Sequence, residues 1–436
     1  MSYPLWEVPY LGGGLLIAII AVIHVFISQF AVGGGLFLAL AARKAYGDGG
    51  QPWLAYLRRH TKFFMLASLL FGAVTGVGIW FTIGLISPQA TSILIRTFVW
   101  GWAIEWCFFL TEVSAILLFY YGWNRLRPAT HQMLAWIYAG ASYLTLVVIN
   151  GIVSFMLTPG DWLQTGSFWD GFLNPSYLPS LVMRTGASLA LAGLYALVTS
   201  AWEEEGAIRA ELIQFASKFV LTAFALFPVG ALWWLAVIPE HSRLLALGGA
   251  APVAIMFALT LVLSGIILMA SFFGPFRRPA TTSITFAMVL LSLGLLTTGG
   301  AEWVREGIRK PYVIFDYLYS NGVYAGQEFG SKGVMGSARW SLYGSVAASP
   351  GELAAGEDLF RLQCASCHTL DGYNGVRPLV RGWTHDFASH QVARLGMLKG
   401  YMPPFLGTAQ EQEALAAYLV SLNAKKEVAS GAAAQR

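Results

Sequence analysis

Cysteine and charge are both scarce in this chain of 436 residues, and each scarcity excludes a class of protein. Three cysteines, Cys107, Cys364 and Cys367, cannot build a disulfide framework or a Cys-rich zinc site. Asp, Glu, Lys and Arg together make up 11 % of the residues, against about 25 % in ordinary soluble domains. So little charge cannot clothe a water-facing surface. The formal net charge of +4 arises from basic residues in loops on one side rather than from a basic block, so no nucleic-acid partner is expected. Internal repeats and low-complexity blocks are also missing, which excludes a solenoid or an array.

What the chain has is apolar length. Hydrophobic residues make up 56 % of it, and the mean hydropathy is positive. Eight stretches can each cross a bilayer at about 20 residues: 12–42, 62–86, 97–121, 131–157, 178–201, 214–238, 247–272 and 282–303. The pattern predicts an all-α, polytopic membrane helix bundle. The first stretch lacks a basic n-region and is too long for an h-region, so it reads as a span rather than a signal peptide.

Lys and Arg set the expected orientation. Arg43, Lys44, Arg58, Arg59 and Lys62 follow span 1, Arg125 and Arg127 follow span 3, Arg209 and Lys218 follow span 5, and Arg277 and Arg278 follow span 7. The intervening loops hold little beyond Arg96 and Arg243. Odd loops are therefore expected on the cytoplasmic side of a bacterial-type inner membrane. The N-terminus and the C-terminal region would then face the periplasmic, outer side.

Composition divides the chain into a membrane domain at 1–319, a Gly/Ser/Ala-rich linker at 320–350, a small helical domain at 351–424 and a disordered tail at 425–436. Trp340 and Tyr343 in the linker read as interfacial anchors. The small domain opens with a helix leading into Cys364-Ala365-Ser366-Cys367-His368 and closes with an amphipathic one bearing Leu415, Tyr418, Leu419 and Leu422. Two thiols three apart can add covalently to the vinyl groups of a haem, and the adjacent imidazole then reaches the iron. A C-x-x-C pair by itself also reads as a zinc or redox site, but the one other cysteine, Cys107, leaves such a zinc site short of ligands. Gly400-Tyr401-Met402-Pro403-Pro404-Phe405 resembles the distal methionine loop of small class I c-type cytochromes, which makes Met402 the expected sixth ligand of one covalent haem c. Met397, His385 and His390 are weaker candidates. Attachment of c-type haem on the outer side agrees with the charge-based orientation.

Each ionisable group inside a span asks for a reason, because burying its charge at mid-bilayer costs roughly 2.5–3.5 kcal/mol on insertion scales. His24 in span 1 reads either as a buried histidine bonded to backbone or as an axial ligand to haem iron. Glu105 and Glu112, seven apart on span 3, share a face with no base in that helix interior, which favours protonated relay groups over a structural ion pair. At the end of span 8, Glu302 and Glu306 are one turn apart. Arg305, Arg309 and Lys310 beside them read either as an interfacial charge cluster or as a clamp for haem propionates. His60, His131 and His241 read as ordinary interfacial or loop residues.

In this order, the residues resemble subunit I of the cytochrome bd family of terminal oxidases. The resemblance runs through most of spans 1–5 and returns at span 8. It is carried by Ile23-His24-Val25-Phe26, Phe71-Gly72-Ala73-Val74-Thr75-Gly76, Ala103-Ile104-Glu105, Gly122-Trp123-Asn124-Arg125, Val148-Ile149-Asn150-Gly151 and Glu306-Gly307-Ile308-Arg309-Lys310-Pro311. It implies two non-covalent haems of b or d type, with His24 and Glu306 each ligating an iron. It also implies Glu105 beside the haem pair, Glu112 and Asn150 along a proton path, and a homologous second membrane subunit. The family's second acid on span 3 stands one position beyond Glu112.

Three departures shape the expected function. Met183-Arg184-Thr185 stands where the family places the histidine of its low-spin b haem, so that haem is expected to be absent although Met256 aligns with its methionine. Arg184 would fill the space or bind a propionate. Only about Pro239 to Ala246 joins spans 6 and 7, where related enzymes carry a long quinol-binding loop. Glu302 replaces a tryptophan four residues before Glu306 and is a rival iron ligand. The expected activity is oxidation of an external c-type donor through the covalent haem and reduction of O₂ to water at the membrane haems. The competing reading is a non-catalytic electron conduit within a larger respiratory complex, and a gas-sensing haem protein is a third.

Overall fold

The computed structural model describes residues 3–47, 50–204, 206–398 and 400–433. All eight expected spans are helices: α1 (Gly13–Ala45), α2 (Gln51–Ile86), α3 (Val99–Tyr121), α4 (Pro128–Phe155), α5 (Tyr177–Ala201), α6 (Ala207–Val237), α7 (Ala251–Phe276) and α8 (Ile284–Gly307). A bilayer leaves no other choice, since each backbone polar group must be satisfied within its own segment. Chain-specific signals set the ends. Pro128 opens α4 at a position whose N–H would be unpaired anyway, and Ser283 Oγ accepts from Phe286 N at 3.2 Å to cap α8. The larger difference from expectation is α2, which begins at Gln51 rather than near 62. Its first part carries Arg58, Arg59 and Lys62 but buries Trp53, Tyr56, Leu57, His60 and Phe64 on the other face. A π-helical segment, Leu66–Phe71, interrupts it.

The chain divides into two compact units. The membrane unit comprises residues 20–78 and 95–308. Its core gathers Phe30, Phe37, Phe64, Phe119, Leu191 and Val220 from five helices. Gly33, Gly34 and Gly35 let α1 approach three neighbours, because a Cβ at these positions would strike the Ser188 backbone of α5, Phe64 of α2 and Tyr138 of α4 respectively. Ser188 Oγ donates to Gln29 Oε1 and locks the same α1–α5 contact.

Two histidines expected at the interface are instead fully buried here. His131 is bonded at both ring nitrogens, to Phe119 O at 2.7 Å and Tyr46 Oη at 2.8 Å. His60 Nδ1 meets Thr199 Oγ1 at 2.9 Å. They lie on the inner face of their helices, where a neutral imidazole serves as a polar tie.

The second unit comprises residues 1–19, 79–94 and 309–436. After α8 the chain forms one hairpin, β1 (Tyr312–Ile314) with β2 (Leu318–Tyr319), antiparallel, with Tyr312 opposite Tyr319. The small domain follows as α9 (Glu352–Gln363), α10 (Val376–Leu379), α11 (His385–Ala393), α12 (Leu395–Leu398) and α13 (Ala409–Ala433). α9 and α13 pack closely at Gly356, where a Cβ would strike the Ala414 carbonyl. The tail expected at 425–436 falls on side chains outside the described residues, as does the backbone of 434–436.

The segment 320–350, expected as a linker, is folded onto the small domain. Val323, Phe329, Val334, Met335 and Ala338 share one core with Leu359, Phe360, Leu415 and Leu419, and Trp340 and Tyr343 pack against it rather than standing as free anchors. Two buried carboxylates explain this. Asp358 accepts from Ser341 Oγ at 2.7 Å and Leu342 N at 2.9 Å. Glu411 accepts from Val334 N at 3.0 Å, Met335 N at 2.8 Å and Thr408 N at 2.8 Å. Thr408 Oγ1 accepts in turn from Glu411 N at 3.2 Å, which makes the pair a capping box that also grips the former linker.

Hydrogen bonds to a charged acceptor are worth about 1.5–3 kcal/mol each, and here three amides would lose theirs together. Glu411→Ala is therefore expected to destabilise the small domain by roughly 3 kcal/mol or more. Denaturant unfolding of the full chain, followed through Trp340 and Trp383 emission, measures this; an unchanged midpoint would show that Glu411 does not anchor the segment.

Candidate functional site

In the small domain, α9 delivers the motif and then stops at it. Cys364 caps the helix, its N–H bonded to Phe360 O at 2.8 Å. The amides of Cys367 and His368 both bond to Cys364 O, at 3.1 and 2.9 Å, which curls the five residues into one turn. Both motif thiols are unpaired. Burial, and next the neighbouring Cys367, push the Cys364 thiol up to about 12, so it is a neutral thiol at ordinary pH.

His368 Nδ1 lies 2.9 Å from Asn374 O, and Asn374 Nδ2 donates to Cys367 O at 2.7 Å. A carbonyl can only accept, so Nδ1 carries the proton and Nε2 is left with its lone pair for a metal. Burial also lowers the His368 pKa and keeps the ring neutral, as an iron ligand requires. Asn374 sits at φ +52°, which Asn tolerates better than most residues. This donor set fits a covalently attached haem.

Met402 is half-buried in the turn before α13. Phe405 and Leu406, which follow it, pack on the same core as Cys364 and Ala365. Met397 is 85 % exposed. His385 Nε2 points to Glu413 Oε2 at 3.6 Å, and His390 lies on the same short helix, α11. Among the described residues no three His, Cys, Asp or Glu side chains converge as a metal cage, so a zinc reading of the motif finds no further ligands there.

In the membrane unit, His24 Nδ1 is 3.0 Å from Thr75 Oγ1, just after the π-helical segment of α2. Thr75 Oγ1 also lies 2.6 Å from Phe71 O, its back-bond within the helix. A Cβ on Gly76 would stand 3.3 Å from His24 Cε1, so glycine there leaves the imidazole room. The Thr75 bond sets the orientation of the imidazole, and an oriented imidazole is a donor that haem iron can take. π-bulges recur at functional sites because they aim side chains that a regular helix could not.

Glu105 and Glu112 are half-buried on α3 and within electrostatic range of each other. Glu112 Oε1 accepts from Thr145 Oγ1 of α4 at 2.5 Å. Asn150 is bonded on both sides: Nδ2 donates to Tyr177 O at 2.8 Å, and Oδ1 accepts from Ser180 Oγ at 2.9 Å. It ties α4 to the start of α5.

On α8, Arg305 Nε donates to Glu302 Oε2 at 2.8 Å. Arg184 of α5 is in electrostatic range of Glu302 and Arg305, and Glu306 is in range of the same pair. Packing register explains the meeting of Arg184 and Glu302. A Cβ on Gly294 would strike Leu194, and α5 and α8 cross in opposite senses, so Arg184 before the contact and Glu302 after it reach a similar depth. Met256 Sδ of α7 lies 3.3 Å from where a Cβ on Gly300 would be. Of the basic residues at and after the end of α8, Arg305 bonds to Glu302, Lys310 Nζ donates to Ser320 Oγ at 3.2 Å, and Arg309 is buried. A cavity of about 250 Å³ between α1, α4 and α5 is lined by Gly33, Trp136, Gly140 and Tyr143 among others, and none of the candidate residues faces it.

The hydrogen-bond partners of the candidate residues were not singled out from the sequence. Thr75 lay inside a motif already singled out, Asn374 inside an Asn-Gly turn, and Thr145 one turn before Asn150 had no local signal.

Residues 15–243 match the family model of cytochrome bd terminal oxidase subunit I, and residues 351–419 match that of cytochrome C oxidase, cbb3-type, subunit III. A chain of the bd oxidase from Geobacillus thermodenitrificans superimposes with a TM-score of 0.61 at 14 % identity, over 69 % of this chain and 87 % of that one. At that identity the likeness is one of fold. No curated protein matches the sequence. The two matches meet on one polypeptide in the order the helices run, and the chain belongs to the cytochrome bd terminal oxidase subunit I family, with a cytochrome c domain fused after its eighth span.

Proposed function

We propose that this chain accepts electrons from an external c-type donor at its cytochrome c domain and passes them to two membrane haems, where O₂ is reduced to water. Each O₂ takes four electrons and four protons and leaves as two waters. The observation that carries this reading is His368, whose Nδ1 is committed to Asn374 O, on a domain fused to a bd-type membrane unit. Only residues 238–250 join α6 to α7, which leaves no segment for a long quinol loop.

Bound haem would supply one-electron carriage at the covalent site and dioxygen chemistry in the membrane. Cys364 and Cys367 would hold the covalent group, and His368 and Met402 would complete its iron. In the membrane, His24 would be one axial ligand, steered by Thr75. Glu306 would be the other iron ligand, as the family resemblance implies, and Glu302, bonded to Arg305, is its rival. Arg309 would face a propionate. Glu105 and Glu112 would hand protons inward along α3, with Thr145 orienting Glu112; Asn150, bonded on both sides, would keep the α4–α5 wall of that path in place. Arg184 occupies the place of the low-spin haem's histidine, so the low-spin b haem is absent from this proposal.

The placement is a bacterial-type cytoplasmic membrane with the c domain outside. Support comes from the second unit, which gathers 1–19, 79–94 and 309–436, the three stretches that Lys and Arg bias assigns to the outer side. A homologous second membrane subunit is the expected partner.

Replacing Cys364 and Cys367 with alanine should abolish covalent haem on a denaturing gel stained for peroxidase activity. Met402→Ala should keep the haem attached but lower its potential, since a thioether ligand is lost. Persistence of the methionine–iron charge-transfer band in that variant would move the ligand elsewhere.

His24→Ala should remove one non-covalent haem from the pyridine haemochrome count, and Glu306→Ala should remove or alter the other. Glu302→Ala should leave the count intact. Haem loss on Glu302→Ala with none on Glu306→Ala would exchange the two roles. Glu105→Gln should retain both haems and slow turnover, because a relay affects rate and a ligand affects occupancy. A CO-induced shift of the reduced membrane haem spectrum is expected of an oxidase; its absence would favour the conduit reading.

Purified protein should oxidise a reduced c-type donor and ignore quinols. Fast quinol oxidation by this chain alone would defeat the donor assignment.

A further inference from the structure

Residues 6–13 run between the end of α2 and the turn that follows the haem-binding motif, and they are bonded to both. On one side, Trp6 N donates to Leu85 O at 3.0 Å, and Gly13 lies against Ile86. On the other, Tyr373 N donates to Tyr10 O at 2.6 Å. Arg361 of α9 donates through Nε to Glu7 Oε1 at 2.7 Å. A Cβ on Gly12 would stand 3.3 Å from Thr369 Cγ2. Thr369 itself braces the turn, since its Oγ1 donates to Tyr373 O at 2.9 Å and accepts from Gly372 N at 3.0 Å.

The fit depends on backbone detail that a chance contact would not need. Tyr10 at φ +62° and Gly12 at φ +75° bend the segment so that the Tyr10 carbonyl faces the turn. Gly372 must be glycine, because a Cβ there would overlap the Tyr10 backbone. Burial lowers the Arg361 pKa, but the hydrogen bond and charge of Glu7, with Asp358 behind it, more than offset this and hold it up. Arg361 thus bridges Glu7 of the N-terminal segment and, at 3.9 Å, Asp358 of its own helix.

We propose that residues 6–13 form a seat that holds the cytochrome c domain stationary on the segment entering the membrane, with Glu7, Tyr10, Arg361 and Gly372 as its positioning residues. The domain is then a fixed relay, not a swinging head. A tethered, mobile domain would need a free linker, and 320–350 is folded onto the domain instead. The seat joins the turn directly after His368 to the start of α1, the helix that also carries His24. The step it serves moves one electron and no atom: the donor iron goes from ferrous to ferric, the acceptor iron from ferric to ferrous, and no bond forms or breaks. Holding the turn keeps the residues around His368 in one arrangement on residues 6–13, and the outside donor has to come to the domain. This proposal rests on the reading of His368 as a haem ligand.

The test uses the full-length protein and two readouts besides turnover. Hydrogen exchange at the Tyr373 amide should be slow, and Gly372→Ala should speed it roughly tenfold or more. In the same variant the electron transfer from photoreduced covalent haem to the membrane haems should slow by about tenfold, while covalent haem content and its midpoint potential stay unchanged. Glu7→Lys should show the same pattern, and adding Arg361→Glu should restore it; this pair decides the matter if Gly372→Ala fails to fold. Fast Tyr373 exchange in the unaltered protein would overturn the seat, as would an unchanged transfer rate in a variant whose Tyr373 amide has been freed. Absence of covalent haem from the unaltered protein would instead defeat the functional reading, and the exchange data would still judge the seat.

Discussion

Because a bilayer offers no hydrogen bonds, each polar group inside the membrane unit has to be held by another group of the same chain, and the candidate chemistry follows from who holds whom. His24 is steered by Thr75, Glu112 by Thr145, Asn150 by Tyr177 and Ser180, and Glu302 by Arg305. These ties differ in completeness, and the difference separates roles. Asn150 makes one donor and one acceptor bond, both to the start of α5, and so holds α4 and α5 together. His24 has one ring nitrogen oriented by its bond to Thr75. An imidazole held this way in apolar surroundings is kept in one orientation within the membrane unit.

The two departures from the family pattern at positions 184 and 302 acquire a joint meaning from the packing of α5 on α8. Arginine in place of a ligating histidine would leave a buried charge, and glutamate in place of tryptophan would leave another of opposite sign. Each alone is costly in a low-dielectric interior. Brought to one depth by the Leu194–Gly294 contact, with Arg305 bonded to the same carboxylate, they compensate. The two departures thus answer one another as an ionic cluster with Arg305.

Much of this was legible from the sequence because it depends on local periodicity or on a motif whose chemistry fixes its own geometry. The eight spans follow from apolar length, and the C-x-x-C-H turn from its spacing. What could not be read is long-range. Glu411 belongs to the amphipathic helix α13, and only its backbone partners, seventy-odd residues upstream at Val334 and Met335, make it the clasp of the segment 320–350. Glycine, serine and alanine in that segment gave a flexible composition, but composition does not report a buried carboxylate waiting for amide donors. The burial of His60 and His131 was hidden likewise, since the inner face of a membrane helix is fixed by its neighbours rather than by its own sequence.

The same reasoning applies inside the second unit. If 320–350 were free, the c-type domain could sample many positions, and electron transfer would wait on an encounter. Asp358 and Glu411 remove that freedom on the C-terminal side by taking up backbone amides of the segment. Glu7 and the Tyr10 carbonyl remove it on the N-terminal side by engaging Arg361 and the Tyr373 amide. The two restraints come from opposite ends of the chain, and each is built from a charged or backbone acceptor that a single substitution can release. Neither restraint depends on the other, because Asp358 and Glu411 act on 320–350 while Glu7 and Tyr10 act on α9 and the turn after the haem-binding motif.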